Sequence, residues 1–136
     1  MKYKYGGASN ARLLRADRKL QFIFNSAINL DLIDISIIET HRGKSRQDRY
    51  FKLGKTILMW PNSSHNFTPS RAVDAVPYIN GKASFNPKHC IFLAGIICGL
   101  GAFFGTEIRW GGNWDQDGEV ITDQSFQDLT HYELAR

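Results

Sequence analysis

The chain has 136 residues, 43% of them hydrophobic and 22% charged, and a formal net charge of +4. That length suits one domain with a core of its own, and the composition excludes disorder, a fibrous repeat and a disulfide-stapled mini-protein. The charge is uneven: residues 1–55 hold twelve Lys/Arg against five Asp/Glu, and residues 56–136 hold five against eight. A basic surface could face nucleic acid, anionic lipid or an acidic wall polymer, beside the plain alternative of a solvated helix face.

In chain order, the N-terminus MKYKYGGASNARLL is basic but lacks the apolar stretch of a secretory signal peptide. Residues 9–29 place Leu13, Leu14, Leu20, Ile23 and Ile28 near helical spacing with Arg and Lys between them, which predicts one amphipathic helix with a basic outer face. Residues 32–40 alternate Ile33, Ile35 and Ile37 at period two and read as a strand. Residues 46–53 read as a short helix closed by Gly54. Residues 72–78 read as a strand.

The run CIFLAGIICGLGAFFG over residues 90–105 is the one membrane candidate. It is shorter than the ~20 residues a span needs and is interrupted by glycines, so a buried core helix is expected, with Asn86 as N-cap, Pro87 in the first turn and Gly105 as the stop. Cys90 and Cys98 would lie roughly 12 Å apart on it, too far for a disulfide, so both are expected as buried, reduced thiols. Residues 106–110 and 131–134 read as two further strands. The order predicts an α+β domain, helices packed on a small, mostly antiparallel sheet, without internal repeats.

Chemistry rests on few residues. Asp74 lies inside an apolar strand, where an unpaired carboxylate is costly, so a cation should sit beside it: Arg71, or a metal shared with His65. In DLTHYEL, Asp128 stands three residues before His131, close enough to act as a general base beside a ligand histidine. Two His and one Asp leave the fourth position of a tetrahedral zinc site open, as catalytic sites require. His41 and His89 receive no role. Asp115, Asp117 and Glu119 around Gly118 read as a solvated turn rather than a cation loop, because their spacing is not that of an EF-hand. Trp110, Trp114 and Tyr78 suit a substrate groove or core packing equally.

Taken together, Ser63-x-His65, Ala72-x-Asp74 and Asp128-x-x-His131 resemble the motif of the LAS zinc peptidases, which include D-alanyl-D-alanine carboxypeptidases and dipeptidases and the L-alanyl-D-glutamate endopeptidases of phage endolysins. THRGKSRQDRYFKLGKT resembles the segment carrying the family's arginine, here Arg42, followed by Gln47 and Gly54 to Thr56. AVDAVPYING and IRWGGNWDQDGEV resemble endolysin segments, so the similarity runs from about Ile33 to the C-terminus. The resemblance implies the LAS or hedgehog-like zinc peptidase fold, Zn2+ held by His65, Asp74 and His131, Asp128 as general base, and Arg42 stabilising the oxyanion. It further implies a peptidoglycan stem peptide as substrate and synthesis in a bacterial host cytoplasm. Action on the cell wall then follows release through a holin-type partner.

Two departures matter. The common pattern SxHxxGxAxD is shorter than the nine-residue interval here, where NFTPSR replaces the glycine, and the loop is expected to bulge outward and leave both ligands in place. The base is Asp, where carboxypeptidase relatives typically have Glu, which favours cleavage of the L-alanyl-D-glutamate bond. The expectation is a single catalytic domain over residues 1–136, monomeric, without a cell-wall-binding domain, stable membrane insertion or nucleic-acid partner. The alternatives are a D-Ala-D-Ala carboxypeptidase or dipeptidase, a non-catalytic zinc protein of the same fold, and a basic nucleic-acid-binding module. The last is disfavoured because the aromatics are not interleaved with the basic residues.

Overall fold

The computed structural model describes residues 2–136. Its elements run α1 (Gly7–Leu13), α2 (Arg18–Asn29), β1 (Ile35–Glu39), α3 (Lys44–Lys52), a 3-10 turn (Ser64–Asn66), β2 (Ala72–Ile79), β3 (Lys82–Ala83), α4 (Pro87–Phe103), β4 (Ile108–Gly111) and β5 (Asp128–Leu134). The strands form one sheet in the order β1-β2-β5-β4, with β3 paired to β2, and every named pairing is antiparallel. This is the expected α+β architecture.

The helix expected over residues 9–29 is two helices. Asp17 is the reason: its side chain accepts from the Lys19 backbone N–H at 2.8 Å and caps α2, while Ala16 leaves helical pairing to bridge Ser70. α2 then buries Leu20, Ile23, Phe24, Ala27 and Ile28, the spacing of a single helical stripe. α4 is capped as expected, with Asn86 accepting from the Lys88 N–H and Gly105 left-handed at φ +77°. The expectation of a buried helix holds for one face only: Cys90, Leu93, Ala94 and Ile97 are buried, whereas Phe92 and Phe103 are exposed. Among the described residues no helix is long and apolar enough to cross a membrane. Cys90 and Cys98 are both free, the first buried and the second half-buried.

The two faces of the sheet have different uses. Ile35, Ile37, Val73, Ala75, Ile108, Trp110, Tyr132 and Leu134 join the core with α1, α2 and α4, and burying each large side chain contributes about 1.5–3 kcal/mol. Strand alternation sends their neighbours Asp74, His131, Glu133 and Arg109 to the opposite face. A register shift between Ile37 and Glu39 breaks that alternation in β1 and sets Glu39 opposite Asp74, on the polar face. The β2–β3 hairpin was not foreseen; its turn is Asn80-Gly81, both at positive φ (53° and 79°), a pairing that favours tight hairpins.

Candidate active site

A cleft of about 380 Å³ opens on the polar face of the sheet, and Arg42, His65, Asp74, Asp128 and His131 all line it. The structure therefore gathers every site residue expected from the sequence. Arg71 does not pair with Asp74; its guanidinium points instead to the Ala135 carbonyl.

His65 is delivered by the 3-10 turn. Ser63 Oγ accepts from the His65 N–H, and Asn66 Oδ1 accepts from the Ser63 N–H at 3.1 Å, a reciprocal cap. Backbone bonds clip the turn in place: Arg42 N–H donates to the His65 carbonyl at 2.7 Å and Arg71 N–H to the Ser64 carbonyl at 3.0 Å. With both ends held, the intervening loop carries Phe67 outward and half-exposed, and the nine-residue interval still leaves His65 Nε2 3.2 Å from Asp74 Oδ1. Asp74 and His131 meet directly across the β2–β5 pairing, with His131 Nδ1 3.2 Å from the same oxygen.

The far edges of both imidazoles decide what the near edges can be. His65 Nδ1 lies 2.6 Å from the Thr40 carbonyl, which can only accept, so Nδ1 carries the hydrogen and a neutral ring turns a lone pair from Nε2 toward Asp74. His131 Nε2 lies 2.7 Å from Glu133 Oε1, which likewise leaves the Nδ1 lone pair of a neutral ring facing Asp74. Two ring lone pairs and a carboxylate converge within 4.8 Å, an arrangement that calls for a positive charge between them. A proton or a metal cation satisfies it, and His/His/Asp is a donor set suited to zinc.

The electrostatics agree. Burial acts to raise Asp74, but the charges and hydrogen bonds of His65 and His131 outweigh it and hold the carboxyl well below the usual carboxylate range. Burial acts to lower His131, but hydrogen bonds to Asp74 and Glu133 carry it up to about 10. Asp128 moves the other way: burial and then the Asp74 charge raise it above an ordinary carboxyl.

Asp128 reaches the cleft because β5 begins there, earlier than the expected start at His131. It sits opposite Gly111 at a register shift in the β4–β5 pairing. A Cβ at Gly111 would lie 1.9 Å from the Asp128 carbonyl oxygen, so this approach requires glycine. Arg42 is buried; its Nε and Nη2 donate to Glu39 Oε1 and its Nη1 to Gln47 Oε1 at 3.0 Å, which leaves N–H groups free on both terminal nitrogens.

Glu133, Glu39 and Arg109 were not singled out from the sequence. For Glu133 and Arg109 a signal existed, since Glu133 shares His131's face by strand alternation and Arg109 alternates with the apolar Ile108 and Trp110. For Glu39 none did, because its facing depends on the shift in β1. Of the aromatics, Trp114 lines the cleft, with its ring 5.7 Å from that of His131 and stacked on Phe126; Trp110 is core, and Tyr78 lies away from the cleft. Asp115 and Asp117 converge with Asp123 rather than Glu119. All three are exposed, and Asp115 and Asp117 accept from backbone N–H groups of their own loop.

The comparisons with known proteins concur. The crystal structure of the Serratia marcescens L-Ala D-Glu endopeptidase ChiX matches with a TM-score of 0.79 at 21% identity, covering 97% of this chain and 90% of that one, and so has the same fold. The L-alanyl-D-glutamate peptidase of Escherichia phage T5 is 27% identical over 138 residues, 99% of this chain and 100% of its own length. The model of the family described as phage L-alanyl-D-glutamate peptidase matches residues 1–135, and on that span the chain belongs to this peptidase family.

Proposed function

We propose that the cleft is a zinc-dependent peptidase centre that hydrolyses the L-alanyl-D-glutamate bond of peptidoglycan stem peptides, as a phage or prophage endolysin. The observation that carries the reading is the convergence of His65 Nε2, His131 Nδ1 and Asp74 Oδ1 on one point, each imidazole anchored from behind by an acceptor. His65, Asp74 and His131 would hold the metal. When bound, zinc supplies Lewis acidity, polarising the scissile carbonyl and acidifying a water.

The chain's own residues do the rest. Asp128 takes a proton from the attacking water and delivers it to the departing amine of D-glutamate. Burial and the Asp74 charge raise its carboxyl in the metal-free protein, the direction that favours holding a proton for that second task. Arg42 donates to the oxyanion of the tetrahedral intermediate, and Glu39 and Gln47 hold its fork in place beforehand, so little reorganisation is needed during reaction. Trp114 and Phe126 form an apolar wall that keeps water from the peptide once bound.

The enzyme works as a monomeric single domain, made in the bacterial host cytoplasm and acting on the wall after release. Incubation of purified protein with sacculi tests the reading: zinc-dependent release of peptides after L-alanine is expected, and chelator should stop it. Loss of a terminal D-alanine in muropeptide mass analysis would instead establish a carboxypeptidase. Salt-sensitive DNA binding unaffected by His65→Ala would point to a different class altogether.

A further inference from the structure

We infer that Arg109 selects the substrate, by binding the free carboxylate of the D-glutamate residue that leaves with the amine. This rests on the bond assigned above. D-Glutamate has two carboxyl groups; the onward peptide uses one, and the other stays ionised at neutral pH. A site that cuts before such a residue needs a cation on its leaving-group side.

The geometry identifies that side. The departing amine must lie within reach of Asp128, and Asp128 pairs with Gly111 of β4, two residues beyond Arg109. Arg109 is on the polar face of the same strand, paired with Glu133, and lines the cleft. Neighbouring strands are ~4.8 Å apart, a distance that an arginine side chain spans easily.

The guanidinium is also prepared for an anion. Its Nη2 donates to Glu133 Oε2 at 3.0 Å, and its Cζ lies over the Trp114 ring, 5.2 Å from the centroid, so it is held at two points. Its Nε–H is buried without a hydrogen-bond partner; Nη1, which makes no hydrogen bond among the described residues, and the second hydrogen of Nη2 are the donors that this 38% exposed side chain offers. A carboxylate matches a fork held in this way. The other cations of the cleft suit the task less well: the free N–H groups of Arg42 serve the oxyanion, and Lys55 lies over Tyr50 on an exposed loop.

Two synthetic peptides decide the matter, each containing L-Ala-D-Glu extended through one carboxyl, with the other left free or converted to a primary amide. With the zinc-loaded enzyme, kcat/KM should favour the free acid by about thirtyfold, the value of a charge-assisted hydrogen bond. In Arg109→Gln this ratio should fall to about one, chiefly through KM, and in Arg109→Lys, which keeps the charge but not the fork, to about threefold. In Lys55→Gln it should stay at the wild-type value. Cleavage at the expected bond with a wild-type ratio near one overturns the role of Arg109 alone. So does an unchanged ratio in both Arg109 variants, or a collapse of the ratio in Lys55→Gln. Cleavage at some other bond overturns the assigned reaction and this inference together.

Discussion

Glu133 is expected to control how tightly the centre binds zinc, although it does not belong to the ligand set. It is buried, with Oε1 2.7 Å from His131 Nε2 and Oε2 3.0 Å from Arg109 Nη2. Burial acts to raise its carboxyl, but His131 and Arg109 outweigh this and lower it, so it is a carboxylate at neutral pH. As a carboxylate it accepts on both oxygens, holds the His131 hydrogen on Nε2 and leaves Nδ1 for the metal. Glu133→Gln removes the charge and replaces one acceptor with an NH2 group. If the amide oxygen faces His131, the NH2 opposes the donor on Arg109; if it flips, the NH2 opposes His131. Removing such a partner typically costs 10- to 100-fold in metal affinity, equivalent to about 1.4–2.8 kcal/mol. Competition against a chromophoric chelator at pH 7.5, with circular dichroism to verify folding, measures the change. A folded variant whose zinc affinity falls by less than about threefold would refute the argument.

Further outcomes follow from the same geometry. Asp128→Asn should retain zinc but lose about 10²- to 10⁴-fold in kcat. In the metal-free protein burial and the Asp74 charge raise the Asp128 carboxyl, so its titration there, followed by NMR, should lie above the ordinary carboxylate range, and zinc should lower it; a metal-free titration at or below that range would contradict the assignment. In metal-free protein the hydrogen bonds to Asp74 and Glu133 push His131 up to about 10 from an ordinary 6.5, so its stabilisation is present below 6.5 and is lost as pH rises toward 10. Thermal melts of the chelated protein should fall across that window, and zinc uptake at pH 7.5 should release protons in calorimetry across buffers of different ionisation enthalpy. Gly111→Ala sets a Cβ 1.9 Å from the Asp128 carbonyl oxygen; denaturant melts should show a loss of about 1–3 kcal/mol, and kcat should fall more than zinc affinity does.

Strand periodicity and residue chemistry made much of this molecule readable in advance. Ile35 and Ile37 alternated because one face of β1 is core, with Ile33 buried just ahead of it, and Val73 and Ala75 flanked Asp74 because β2 sends its carboxylate the opposite way. The ligand and base residues were legible because the motif sets rare residue types, His and Asp, at intervals that strand pairing brings together. Local sequence alone determined the caps as well, Asn86 and Gly105 being satisfied within their own turns.

What only the tertiary structure decided depends on contacts between distant segments. The break before α2 accompanies a bridge from Ala16 to Ser70, and Glu39 reaches the polar face of the sheet, beside Arg42, through an irregularity in its pairing with β2. Likewise Asp128, three residues from His131, comes to the same cleft at a shift in register against β4 that glycine alone accommodates. The chain Asp74–His131–Glu133–Arg109 crosses three strands. Its order is set by register, and register is fixed by which faces are buried once the sheet has formed, a property of paired strands that no single segment carries.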